Sequence, residues 1–194
     1  VPVFFVDSNA TSNSLAISAA GKTCVAAAGV CSAHDGSDAA VTLDGTVVFS
    51  VSVVGNGMVH AGAAEYVAAA AGIALRGVGS TTITISEQVH VTILGKTQDN
   101  ATVQATATYS AAAALGMAFY TASSATIAIA EDANVAIMGW ARDNATIKAT
   151  AGNSVAAALG MALVSYLSAN ITIAGANVTM LGWAQNDANV YATA

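Results

Sequence analysis

Few side chains in this 194-residue sequence are equipped for chemistry: two cysteines, three histidines, scattered carboxylates and a recurring set of asparagines. Cys24 and Cys31 fall short of the four ligands of a tetrahedral zinc site. That leaves a disulfide or two inert thiols, and a disulfide is the expectation, as suits a secreted chain. The spacing tests local structure. Seven residues apart on a helix, the Cα atoms would lie ~10 Å apart, whereas a disulfide needs about 7 Å or less. A Cys24–Cys31 bond therefore excludes a continuous helix and requires strand, turn and strand.

The remaining groups do not converge. His34, His60 and His90 share no metal-ligand spacing, and His60 reads as a surface residue. No nucleophile elbow, P-loop or dinucleotide-binding glycine pattern occurs, so an enzyme is not expected. His34-Asp-Gly-Ser-Asp38 is the best calcium loop, through Asp35 and Asp38, but it is too short for an EF-hand. No other cofactor is implied. Asn9, Asn100, Asn144, Asn170 and Asn177 each begin Asn-X-Ser/Thr and are candidate glycosylation sites, read here as exposed turn positions. Trp140 and Trp183 stand at equivalent positions. They read as packing or rim residues, or as a stacked pair that could hold a sugar.

What must position these groups is a repeat. Small-residue runs close on Gly29, Gly72, Gly116 and Gly160, at intervals of 43, 44 and 44. Ile83 and Ile85, Ile127 and Ile129, and Ile171 and Ile173 keep the same step. So do ILGKTQDNATV from Ile93, IMGWARDNATI from Ile137 and MLGWAQNDANV from Met180. The units are 13–55, 56–99, 100–143 and 144–186. An extra strand precedes them at 1–12 and another follows at 187–194, and all form one domain. Such a period marks a supersecondary unit that buries its apolar face against its neighbours.

Within a unit, Val103, Ala105 and Ala107 alternate with Thr102, Gln104, Thr106 and Thr108, which is half-buried strand. The Ala-rich run is ambiguous, because Ala and Leu favour helix while its glycine permits a tight bend. At the positions equivalent to Cys24 and Cys31 the other units carry only Ala or Val, so both thiols are expected to point inward. The reading is all-β: an open β-solenoid or layered β-stack. A propeller-like ring, or short Ala-rich helices on sheets, are the alternatives.

Composition sets the surroundings. Apolar residues reach 55% and charged ones only 8%, against about 25% in ordinary domains. Most of the apolar content is Ala and Val, which implies a narrow interior. The surface is left to Thr, Ser, Asn and Ala, and such a surface packs readily against copies of itself. The net charge is −6, and Lys22, Arg76, Lys96, Arg142 and Lys148 form no cluster, so nucleic acid is not an expected partner. The most apolar stretch, 155–167, is short for a membrane span and reads as buried core.

In texture the chain resembles the Ala/Thr/Val/Asn-rich repeats of microbial extracellular filaments, surface layers and giant adhesins. The likeness rests on composition and on strands such as Asn100-Ala-Thr-Val and Asn144-Ala-Thr-Ile. It implies a secreted or cell-surface structural protein. The expected partner is another copy of the chain, in a homopolymeric filament, sheath or layer built by β-strand addition. Val3, Phe4, Phe5 and Val6, or Asn189, Val190 and Tyr191, are the expected joining strands. The second reading is an adhesin-type, carbohydrate- or ice-binding module with glycans as partners.

Overall fold

A computed structural model describes residues 3–10, 16–21, 24–34, 39–54, 58–65, 67–77, 79–108, 111–121, 123–152, 155–165 and 168–193. Every regular element among them is a strand. The first coil holds β1 (Val3–Ala10), β2 (Ala16–Gly21), β3 (Cys24–His34) and β4 (Ala39–Leu43). The second holds β5 (Thr46–Val54), β6 (Met58–Ala63), β7 (Val67–Gly77) and β8 (Thr81–Ile85). The third holds β9 (His90–Gln98), β10 (Thr102–Ala107), β11 (Ala111–Thr121) and β12 (Ser124–Ile129). The fourth holds β13 (Asn134–Arg142), β14 (Thr146–Ala151), β15 (Val155–Ser165) and β16 (Ser168–Ile173). Then come β17 (Asn177–Gln185) and β18 (Asn189–Thr193).

Strands four apart in sequence pair in parallel. This makes four sheets: A (β1-β5-β9-β13-β17), B (β2-β6-β10-β14-β18), C (β3-β7-β11-β15) and D (β4-β8-β12-β16). The chain is an open parallel β-solenoid, as the repeat predicts, and it is not a closed ring. Equivalent residues stand in register from coil to coil, for example Thr46, His90, Asn134 and Asn177. Each step is about 4.8 Å along the axis.

Period-two patterning decides which side faces in. In β10, β12 and β14 every second residue is buried. The core columns include Phe49–Ile93–Ile137, Val59–Val103–Ile147 and Ile83–Ile127. The columns exchange volume across the core. Gly95 and Gly139 are met by Leu115 and Leu159, whereas one coil earlier the register puts the larger Val51 at the glycine position and the smaller Ala71 at the leucine position. A Cβ on Gly95 would come within 2.6 Å of Leu115 Cδ1, and one on Gly139 within 3.0 Å of Leu159 Cδ2.

The Ala-rich runs are strands that turn a corner. The pairing of β11 with β15 steps from Ala113↔Ala157 to Leu115↔Leu159. Ala112, Ala114, Leu115 and Met117 face the main core, while Ala111, Ala113 and Ala118 belong to a second, smaller one. The inside–outside alternation thus slips by one at Ala114–Leu115. Gly29, Gly72, Gly116 and Gly160 follow the slip, with φ between +120° and +156°. A Cβ on Gly116 would lie on the carbonyl oxygen of Gly160. Positive φ and this close approach leave room only for glycine.

Asx pairs make the turn from sheet A to sheet B. Asp99-Asn100, Asp143-Asn144 and Asn186-Asp187 all take left-handed φ between +56° and +67°, a conformation that Asn and Asp tolerate best among residues with a Cβ. Their amides donate to the next coil: Asn100 N–H to Asp143 O at 3.0 Å and Asn144 N–H to Asn186 O at 3.0 Å. Asn186 Nδ2 also donates to Asp143 Oδ1 at 2.7 Å.

Candidate functional site

Two places among the described residues stand out from the Thr/Ala surface. The first is a groove on the outer face of sheet A. The register sets Ser52, Lys96, Trp140 and Trp183 in one column, so the two indoles sit on adjacent strands about 4.8 Å apart. Gln98, Arg142 and Gln185 form the column two residues along. Together they line a cavity of about 370 Å³. Lys96 Nζ lies 5.9 Å from the centre of the Trp140 ring, within cation–π range. Arg142 Nε pairs with Asp143 Oδ2 at 3.0 Å. Below the groove, Thr97 Oγ1 donates to the Trp140 carbonyl at 3.2 Å, which ties the two strands and satisfies a buried hydroxyl. Beside it run Leu94, Met138 and Leu181, an apolar column on the outer face. Sequence reasoning did not single these three out, although two consecutive apolar residues before Gly95, Gly139 and Gly182 mean that both faces of the strand are apolar there.

The second place is the edge formed by β15, β16, β17 and β18. Ile171 is 45% exposed and Ile173 50%, although their equivalents Ile127 and Ile129 are sealed. Met180 and Tyr191 are likewise exposed, and only Val178, Val190 and a few neighbours pack on the core beneath. The stretch expected to be buried core is affected too. Val155 is exposed and much of β15 only half-buried, because β15 is the outermost strand of sheet C.

The expected site residues are dispersed. Cys31 is disulfide-bonded, and Cys24 is the chain's one other cysteine. Both lie on β3, in the columns of Ala111 and Ala118, which pack together in the smaller core across the corner. The burial expected of Cys31 is corrected: Cys31 is exposed, since β3 is the outermost strand of sheet C at the other end of the stack. His60 is also not the exposed residue the sequence implied. It is half-buried, its ring covers Gly62, and its Nε2 is buried without a hydrogen-bond partner. Burial, and secondarily the Lys148 charge, lower its pKa from the usual 6.5.

Among the asparagines, Asn100 and Asn144 occupy exposed turns. Asn170 lies within β16 and Asn177 opens β17, so these two are strand rather than turn positions, and both are exposed. Asn170 Nδ2 donates to Thr172 Oγ1 at 3.1 Å, and Asn177 Nδ2 to Asn134 Oδ1 at 3.2 Å. Asn9 is on β1. Val3, Phe4, Phe5 and Val6 lie on β1, the outer strand of sheet A, and Asn189, Val190 and Tyr191 lie on β18, the outer strand of sheet B. Asp35 and Asp38 lie outside the described residues. Among the described residues no three His, Cys, Asp or Glu side chains gather to hold a metal ion, and no helix is long and apolar enough to cross a membrane.

Comparison with protein-family models, with curated proteins and with solved structures gave no match.

Proposed function

We propose that the chain is an extracellular structural subunit that joins copies of itself head to tail by adding strand to strand. The observation that carries this reading is the apolar, unpaired edge of β15–β18. A sheet edge with its backbone unpaired is a template for another strand, and the coil that fits it best is one with the outline already repeated below it. Continuing the register sets Val3 of a second copy over Asn177 and Val6 over Met180, with β1 added to β17 and β2 to β18. A disulfide suits an oxidising compartment. The Thr columns speak less well for an ice-binding face: one reads Met58, Thr102, Thr146, Asn189 and another Gly62, Thr106, Thr150, Thr193, so neither is unbroken.

Sheets A and B have five strands, and sheets C and D have four. Seating β1 on β17 and β2 on β18 therefore leaves a slot one strand deep over β15 and β16. The test is electron microscopy and sedimentation of the purified protein beside Met180→Asp. Met180 is 49% exposed, so the variant should keep the melting curve of the parent yet form no filaments. Monomers at every concentration, or filaments indifferent to the Met180→Asp substitution, would sink the reading.

A further inference from the structure

The groove on sheet A gathers two tryptophans, a lysine, an arginine and two glutamines around one cavity on this largely small-residue surface. We propose that it is a binding site for an acidic polysaccharide, a chain of pyranose rings bearing carboxylates. The site lies on the lateral face of the solenoid but reaches β17, the outermost strand of sheet A, so it is tested on the monomer.

Three features choose this ligand class. The first is the aromatic ladder. Trp183 is 57% exposed and Trp140 is half-buried beside it in register, presenting two indoles that rise along the axis. The apolar C–H face of a pyranose carries partial positive charge and packs on the negative π-face of an indole. Lys96 lies over the Trp140 ring, so the exposed Trp183 is the indole whose face a pyranose takes. The second is charge. In a protein of net charge −6 with five Lys and Arg residues, two of the five line this groove. Lys96 is exposed and held over the Trp140 ring, where its ammonium can meet a carboxylate carried on a stacked ring. A plain hydrophobe makes no use of that ammonium and a neutral sugar meets it only through hydroxyl oxygens, while two cations, one of them paired with Asp143, are too few for the phosphate backbone of a nucleic acid. The third is hydrogen-bonding capacity. Ser52, Gln98 and Gln185 rim the cavity and offer donors and acceptors to sugar hydroxyls. A volume of about 370 Å³ lies within the range of small-ligand sites.

The test uses the full chain, kept monomeric by dilution. Tryptophan fluorescence and calorimetry follow titration with a galacturonic acid hexamer and, separately, with maltohexaose at the same low ionic strength. The acidic hexamer is expected to bind and to perturb indole emission, and the neutral one to bind at least about tenfold more weakly. Trp183→Ala should weaken the acidic hexamer by about tenfold, the loss of one stacked ring, with an unchanged far-UV spectrum because Trp183 is exposed. Lys96→Gln should narrow the gap between acidic and neutral hexamers by about threefold to fivefold. No binding of the acidic hexamer, equal binding of both, or binding insensitive to both substitutions overturns the proposal. Filament formation is not read in this experiment, so its outcome is separate from that of the assembly reading.

Discussion

The strands β12 and β13 and the strands stacked on them, β16 and β17, are close copies in sequence and opposites in environment. Ile127 and Ile129 on β12 are 0% and 1% exposed, while Ile171 and Ile173, their partners on β16, are 45% and 50% exposed. Ile137 on β13 is sealed, and Met180 above it on β17 is half in solvent. The strand type, inward orientation and register are the same. What differs is whether another coil lies on top. Burial here belongs to the stack rather than to the strand, as expected when stability is a sum of nearest-neighbour terms.

The glycine column breaks the comparison most sharply. Gly116→Ala sets a Cβ on the Gly160 carbonyl oxygen and also strains a φ of +142°. Its cost should reach about 4–5 kcal/mol, the exceptional end of single substitutions. Gly160→Ala meets only Met180 Sδ at 3.0 Å, the end of a flexible side chain, so it should cost about 1–2 kcal/mol, that of the left-handed backbone alone. Urea denaturation of the two variants reads the difference, and equal costs would mean that stacking does not set it.

A milder contrast comes from the isoleucines. Ile127→Ala should cost about 2–5 kcal/mol, and Ile171→Ala less than about 1 kcal/mol, because the side chain is already half hydrated. Covering the last turn should abolish the contrast. A second copy of residues 153–176 joined after residue 194 supplies the missing strands of sheets C and D. In that extended chain, Ile171→Ala should rise toward the cost of Ile127→Ala, and filaments should form at lower concentration by sedimentation. An unchanged cost would show that the added half-turn does not seat on β15 and β16.

The smallest expected effect is the pH response of His60. Its folded pKa lies below the unfolded 6.5, so the unfolded chain takes up the proton first. The stability tied to the neutral imidazole is complete above pH 6.5 and is lost as pH falls through that value toward the folded pKa. His60→Gln, which places in β6 the residue that β10 carries as Gln104, should flatten this part of the melting-temperature profile. A profile unchanged by the substitution would remove His60 as the source.

The repeat and its strand class were legible because the period is carried by residues with few substitutes: the corner glycines, the paired isoleucines and the Asx turns. The corner itself was ambiguous in sequence. Ala-Ala-Ala-Leu suits a helix as well as a strand, and only pairing with the neighbouring coils decides between them. Cys31 and Val155 were misplaced for a related reason. Small apolar residues at equivalent positions argue for burial, but these two stand on the outermost strands of sheet C. The groove was half legible: the equivalence of Trp140, Trp183 and Lys96 could be read, but the apolar column of Leu94, Met138 and Leu181 beside it became evident only with the strand faces known.

The exchange of volume between Val51 with Ala71 and Gly95 with Leu115 bears on how such a chain lengthens. Coils of the two kinds are not interchangeable modules. A tandem duplication of the Gly95–Leu115 kind inserts smoothly among its like, because each new leucine finds a glycine across the core. Leucine at the Ala71 position would press on the Val51 position, and alanine at the Leu115 position would leave a void at Gly95. The interior thus carries a rule of covariation, under which the two positions that face each other across one coil must change together to keep the core filled.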